Sequence, residues 1–94
     1  MLISKLDGRK MTSREDVHDY LRDTLELSSY YGKNLDALWD ELTTIDGPRT
    51  IRISHGDLIR KGLGPYGNRL LETFTDAAKE NKNLRVKIKK WHYL

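Results

Sequence analysis

The sequence lacks cysteine altogether and has no long run of apolar residues. Without cysteine, the chain can form neither a disulfide framework nor a zinc site built on thiolates. A membrane-spanning helix needs roughly 20 consecutive apolar residues, and residues 1–7 have neither the charged nor the apolar segment of a signal peptide. We therefore expect no membrane partner and a cytoplasmic location.

The size of the chain predicts a single domain covering residues 1–94. A chain of 94 residues is long enough for one modest hydrophobic core and too short for two. The sequence contains no internal repeat and no low-complexity segment, so no boundary is indicated within it.

The charge is unevenly distributed along the chain. The net charge of +3 at pH 7 favours a nucleic-acid partner when it is taken alone. Residues 30–46, however, contain one lysine and four acids, whereas residues 79–92 contain six cations and one glutamate. The acidic centre and the basic C-terminal segment therefore need separate explanations.

Hydrophobic periodicity and turn residues predict three strands and up to four helices. We expect strands at 2–6, 50–54 and 84–89, and helices from a Thr12–Glu15 capping box to about residue 25, at 35–43 and at 68–81. Asp57 would cap a short helical turn at 58–61, and 62–67 would be a loop. Because strands separated by helices need crossover connections, we expect an α/β fold with a small three-stranded parallel sheet and helices packed on one face of it, in two layers.

Three patterns contain the residue types of a functional site but lack the surrounding elements or spacing that such a site needs. Residues 62–67 match G-x-G-x-x-G, but no strand leads directly into them and no acid follows at the required distance. Residues 54–57 contain the residue types of a hydrolytic triad, but neighbouring strand residues point to opposite faces and cannot converge. His18 lies alone beside an apolar stripe, so we expect it to be structural or solvated rather than a ligand. The residues thus predict no metal site and no enzyme.

The most informative stretch runs from Tyr30 to Asp40 and reads Y-Y-G-K-N-L-D-A-L-W-D. Asn34 stands where a helix N-cap belongs. The following helix has an apolar face of leucines, and Asp36 and Asp40 lie just beyond its Trp39 edge. On an isolated helix two such like charges repel by roughly 0.2–0.5 kcal/mol, and no neighbouring residue offsets this cost.

A buried apolar face accounts for the leucines of this helix but not for the aromatics beside the two acids. Aromatic side chains among acids are typical of a protein-binding surface that meets a cationic pocket. A hydrolase using Asp36 and Asp40 as acid and base is a weaker interpretation, because an exposed helix start offers no desolvation to separate their pKa values.

The segment Y-Y-G-x-N-L-D-A-L-W-D-x-L-T at residues 30–43 resembles the hallmark segment of the barstar family of intracellular ribonuclease inhibitors. The length, the order of elements and part of the last helix are similar too. The resemblance implies a cofactor-free protein that is a monomer when free. Its partner would be a secreted, barnase-like bacterial ribonuclease, whose active site it would block with the second helix and the preceding loop.

The resemblance also implies a role for individual residues. Asp40 would occupy the place of the substrate phosphate, Asp36 would pair with a further basic group, and Tyr30 would lie against the ring of the catalytic histidine. Asp76 stands where the family carries a glutamate that pairs at the rim of the interface. The remaining implied contacts are Asn34, Leu35, Ala37, Trp39 and Thr43.

The basic C-terminal segment allows two interpretations. Outward cations on the last strand can protect a sheet edge from pairing with other chains. Trp91 and Tyr93 beside those cations can instead stack on the bases of single-stranded RNA. The sequence favours edge protection, because the helix predicted at 68–81 and the first loop show no matching basic stripe, and an RNA-binding module is the second hypothesis.

Overall fold

The computed structural model describes residues 2–91. Its elements are, in order, strand β1 (Leu2–Asp7), a short 3-10 helix (Gly8–Lys10), helices α1 (Arg14–Leu25) and α2 (Leu35–Thr43), strand β2 (Arg49–Ser54), helices α3 (Gly56–Leu63) and α4 (Pro65–Glu80), and strand β3 (Leu84–Ile88). The three strands form one sheet in which β2 lies in the middle and pairs in parallel with β1 and β3. The predicted α/β fold with a small parallel sheet is confirmed.

The sheet has one buried and one open face. The register aligns Leu6 with Ile53 and Ile53 with Ile88, and these residues face the helices, with Leu6 and Ile53 fully buried. The alternate positions carry Lys5 and Lys87, both exposed. Because side chains alternate between the two faces of a strand, the helices cover one face only, as predicted.

The helical layer is held together by α4, the longest helix. It packs against α2 on one side and α3 on the other, and it also contacts β3. Phe74 and Leu70 of α4 are fully buried with Leu38 and Leu42 of α2. The second helix is therefore fixed to the molecule through α4, and its opposite side is left at the surface.

The cap of α1 differs from the prediction by one residue. Ser13, not Thr12, is the N-cap, and its hydroxyl oxygen accepts a hydrogen bond from the Asp16 amide at 3.1 Å. Thr12 instead donates its hydroxyl to the Asp16 carboxylate at 3.2 Å. The hydroxyl-x-x-acid pattern occurs in two overlapping registers here, Thr12 with Glu15 and Ser13 with Asp16. Local sequence alone does not distinguish them.

The predicted loop at 62–67 is wrong, because α3 and α4 follow one another with only Gly64 between them. Gly64 has a φ of 58°, a conformation that favours glycine, and Pro65 occupies the first position of α4, where its missing N–H costs no hydrogen bond.

The predicted cap Asp57 is also wrong: His55 is the N-cap residue of α3, and Asp57 in the first turn pairs with Lys61 at 3.3 Å.

We expect Gly67→Ala to lower the free energy of unfolding by about 1–3 kcal/mol through overpacking. A Cβ at position 67 would lie 2.4 Å from the carbonyl oxygen of Ile59, so α3 and α4 could not approach as they do. The matched control is Gly62→Ala in α3, where a Cβ meets no atom within 4 Å. Urea denaturation should find the control neutral or up to about 1 kcal/mol more stable. Equal effects at the two positions would contradict this account of the helix crossing.

Candidate functional site

The helix predicted to carry the site begins and ends where the sequence indicated. Asn34 is its N-cap, and the Asn34 side-chain oxygen accepts a hydrogen bond from the Ala37 amide at 2.8 Å. Leu38 and Leu42 are fully buried, whereas Asp36 and Asp40 are exposed. The helix therefore turns its carboxylates outward because its leucines are held in the core.

We call the exposed side of this segment the acidic face. Tyr30 is its most prominent side chain, 92% exposed. Among the described residues, neither Asp36 nor Asp40 has an ion-pair partner. Of the residues named from the sequence, those that the segment brings together are Tyr30, Asn34, Leu35, Asp36, Ala37, Trp39, Asp40 and Thr43, with Leu35, Ala37, Trp39 and Thr43 half-buried.

Tyr31 does not belong to this surface, and Asp76 lies on a different helix. Tyr31 is only 7% exposed and belongs to the core, so the surface aromatics are Tyr30 and Trp39. Asp76 is exposed on α4, and its carboxylate lies 3.9 Å from the ammonium of Lys79. Within residues 2–91 no hydrogen bond or ion pair links Asp76 to the acidic face.

A buried histidine fixes the loop that precedes α2. His18 is 2% exposed; its Nδ1 lies 2.5 Å from the Tyr31 hydroxyl and its Nε2 lies 2.6 Å from the Tyr66 hydroxyl. A neutral imidazole has one donor and one acceptor, so one tyrosine donates to the ring and the other accepts from it. Burial lowers the pKa of His18 and raises the pKa values of both tyrosines. Of the two roles expected for His18, structural or solvated, the structure shows the structural one.

Further contacts hold the same loop from the side of α1 and α2. The Glu41 carboxylate accepts hydrogen bonds from the Ser28 amide at 2.8 Å and from the Ser28 hydroxyl at 3.2 Å. Lys33 pairs with Asp19 of α1 at 2.8 Å, and this contact lowers the pKa of Asp19. Glu41 thus serves the fold, which leaves Asp36 and Asp40 as the acids that α2 presents.

The C-terminal end of α2 is held by an amide that sequence reasoning missed. Asn81, which ends α4, is buried and donates from its side-chain nitrogen to the carbonyl oxygens of Leu42 at 3.0 Å and Ile45 at 2.9 Å. Carbonyl groups at a helix end lack partners within the helix, so this bond satisfies one of them. An asparagine after a helix signals only a cap, and its long-range partners cannot be read from the sequence.

An open groove of about 490 Å³ lies beside the start of α2. Arg14, Lys33, Asp36 and Tyr66 are among the residues that line it. The Arg14 guanidinium lies over the Tyr66 ring, 4.2 Å from its centre. The groove contains both charge signs, so it can receive a polar side chain of a partner next to the acidic face.

Metal and membrane features are not found in the part of the chain that the structure describes. No group of three or more histidine, cysteine, aspartate or glutamate residues between positions 2 and 91 is arranged to hold a metal ion. No helix in that range is long and apolar enough to cross a membrane.

Comparisons with known proteins agree with this geometry. Residues 1–90 match the model of a family described as Barstar (barnase inhibitor), a range that includes the acidic face and Asp76. Over 79 residues the chain is 40% identical to a protein of Bacillus subtilis (strain 168) named "Putative ribonuclease inhibitor YrdF". That alignment covers 83% of this chain and 87% of the relative.

The burial of His18 predicts a pH-dependent stability. Its pKa in the folded protein lies below the ordinary value of 6.5, so below that pH the unfolded chain binds more protons than the folded one. The free energy of unfolding should therefore be highest above pH 6.5 and fall as the pH drops toward the folded pKa, by up to about 1.4 kcal/mol per pH unit. Urea denaturation across this range should show a smaller slope for His18→Gln. An unchanged slope would assign the pH dependence to other groups.

Proposed function

The chain belongs to the barstar family and is a ribonuclease inhibitor rather than an enzyme, and on this premise we propose that it blocks the active site of a secreted, barnase-like bacterial ribonuclease. The inhibitory element is α2 with the loop before it. The observation that carries the proposal is the pair of carboxylates Asp36 and Asp40, which are exposed and have no ion-pair partner within residues 2–91, on a helix that is fixed at both ends.

Asp40 imitates the phosphate of the substrate. A ribonuclease cleft binds the phosphodiester through cationic side chains, and a carboxylate accepts the same charge-assisted hydrogen bonds. It offers no P–O bond that the enzyme could cleave. Asp36, one helical turn earlier, meets a second cation at the edge of the cleft.

The remaining residues of the acidic face provide contact area. Tyr30 projects far enough to pack against the ring of a catalytic histidine. Trp39 is half-buried and offers an aromatic edge next to Asp40. Thr43 donates its hydroxyl to the Trp39 carbonyl at 2.8 Å, so the two lone pairs of its oxygen and its methyl group are available to the partner. Asn34, Leu35 and Ala37 complete the surface, and Asp76 contributes at its rim.

The rigidity of the site favours tight binding. Side chains and loops that become ordered on association reduce affinity, by about 0.5–1.5 kcal/mol for each immobilised side chain. Here the loop is already held by the Ser28–Glu41 and His18–Tyr31 hydrogen bonds. Binding therefore requires little reorganisation of this protein.

The proposed place of action is the cytoplasm of the cell that makes the ribonuclease. A free inhibitor there protects cellular RNA from enzyme that has not been exported. Residues 1–94 act as one inhibitory domain, monomeric when free, and occlusion requires no cofactor because it makes and breaks no covalent bond.

We expect Asp40→Ala to raise the inhibition constant by about two to four orders of magnitude. Removing one member of a buried charge pair leaves the enzyme's cations uncompensated, at a cost of about 3–5 kcal/mol. Inhibition should be measured against barnase and against the ribonuclease activity in the culture medium of the producing organism.

The matched control is Glu72→Ala, which removes an exposed carboxylate from α4 beside Arg60 and Ile88, away from the acidic face. It should inhibit as the parent does. Thermal unfolding should be nearly the same for all three proteins, because both carboxylates are exposed. Full inhibition by Asp40→Ala would overturn the proposed mechanism.

A further inference from the structure

The open face of the sheet carries a row of cations that the sequence does not reveal. The strand register places Lys5 of β1 next to Arg52 of β2, and Arg52 next to Lys87 of β3. The next row on the same face ends in Arg85, which is paired with Thr50. We call Lys5, Arg52, Arg85 and Lys87 the basic sheet face. Neighbouring strands lie about 4.8 Å apart, so the row of three crosses the sheet within about 10 Å.

Few acids accompany these cations. Asp7 is the one acid within the three strands, and Arg9 binds both of its carboxylate oxygens, at 3.1 and 2.8 Å. Among residues 2–91 no ion pair engages Lys5, Arg85 or Lys87. Like charges on adjacent strands destabilise a sheet. Lys5 and Lys87 therefore gain nothing from ion pairs within the described residues, and the row matches a ligand with several negative charges.

The face points away from the acidic face. The helices cover the other side of the sheet, and α2 lies in that helical layer, packed on α4. The overall charge of +3 thus conceals two surfaces of opposite sign on opposite sides of the molecule. A ligand on the sheet leaves α2 accessible.

We propose that the basic sheet face binds single-stranded RNA through its phosphates. An open sheet with cations spaced across it tracks a flexible backbone, and exposed aromatics beside such a groove stack on bases without sequence preference. Trp91 provides an exposed aromatic at the carboxyl end of the sheet. It is 68% exposed, and its carbonyl oxygen accepts a hydrogen bond from the His55 amide at the end of β2. Tyr93, the other aromatic of the sequence-based hypothesis, lies outside the described residues.

An anionic membrane fits this surface less well. Proteins that lie on a membrane insert an apolar face among the acyl chains. Within the described strands, the one exposed apolar side chain on this face is Ile3, at 45%. A ligand that combines phosphates with stacking bases uses both the cations and the tryptophan.

The test is binding of a fluorescein-labelled oligouridylate of about ten nucleotides, followed by fluorescence anisotropy at several salt concentrations. The parent should bind with an affinity that falls steeply with salt. Lys5→Gln/Lys87→Gln should weaken binding at least about tenfold and reduce the slope of log K against log salt by about 1.4, since each phosphate contact on a single strand contributes about 0.7.

The matched control is Arg60→Gln/Lys61→Gln, which removes two exposed cations from α3 in the helical layer. It has the same net charge as the sheet variant and should bind RNA within about twofold of the parent. Equal loss of RNA binding in the two variants would show that net charge alone explains the effect, and it would overturn the proposal. So would binding to phosphatidylserine vesicles without binding to the oligouridylate.

Two further variants separate this proposal from ribonuclease inhibition. Asp40→Ala should keep full RNA affinity, so loss of inhibition and loss of RNA binding are distinguishable. Trp39→Phe leaves Trp91 as the one tryptophan of the chain, and its emission should be quenched when the oligouridylate binds. Emission that does not change at saturation would contradict the placement of RNA on this face.

Discussion

The site depends on the anchoring of a nine-residue helix at both of its ends. Asn34 satisfies the first turn of α2, the Asn81 amide holds its last turn, and two fully buried leucines fix its rotation about its axis. An isolated helix this short is marginal in water, so its stability comes from these tertiary contacts. Because the leucines face the core, the helical period places both carboxylates on the outward side of the helix. The surface chemistry of the molecule is thus a consequence of how its core is packed.

The local signals in the sequence were sufficient for α2 and insufficient for α3 and α4. The bounds of α2 follow from a cap residue and an apolar period that lie within the segment itself. The α3–α4 junction depends instead on Gly67, which allows close approach to the Ile59 carbonyl, a long-range contact with no local signature. The His18–Tyr31–Tyr66 network joins positions 48 residues apart. The sequence shows only an isolated histidine and two tyrosines, and it gives no sign that they contact one another.

The distribution of charge is a second feature that the sequence alone describes incompletely. Along the chain, the acids cluster in the centre and the cations near the C-terminus, which suggested edge protection for the last strand. Across the sheet, the parallel register adds Lys5 and Arg52 to that strand's cations and forms one surface from three distant segments. The sequence shows no basic stripe on the last helix or in the first loop, and the row that the register forms runs perpendicular to the strands. Only the register can reveal it.

The two acids of α2 differ in what the fold gains from them. Asp36 lies in the first turn, where the positive end of the helix dipole favours a negative charge. Asp40 lies beyond that turn, repels Asp36 one turn away, and has no cation paired with it among the described residues. Its charge therefore gives the folded monomer no evident stability. A residue whose charge is unfavourable in the free protein and favourable beside a cationic cleft contributes its full electrostatic effect to binding. This asymmetry supports the assignment of the central role in inhibition to Asp40 rather than to Asp36.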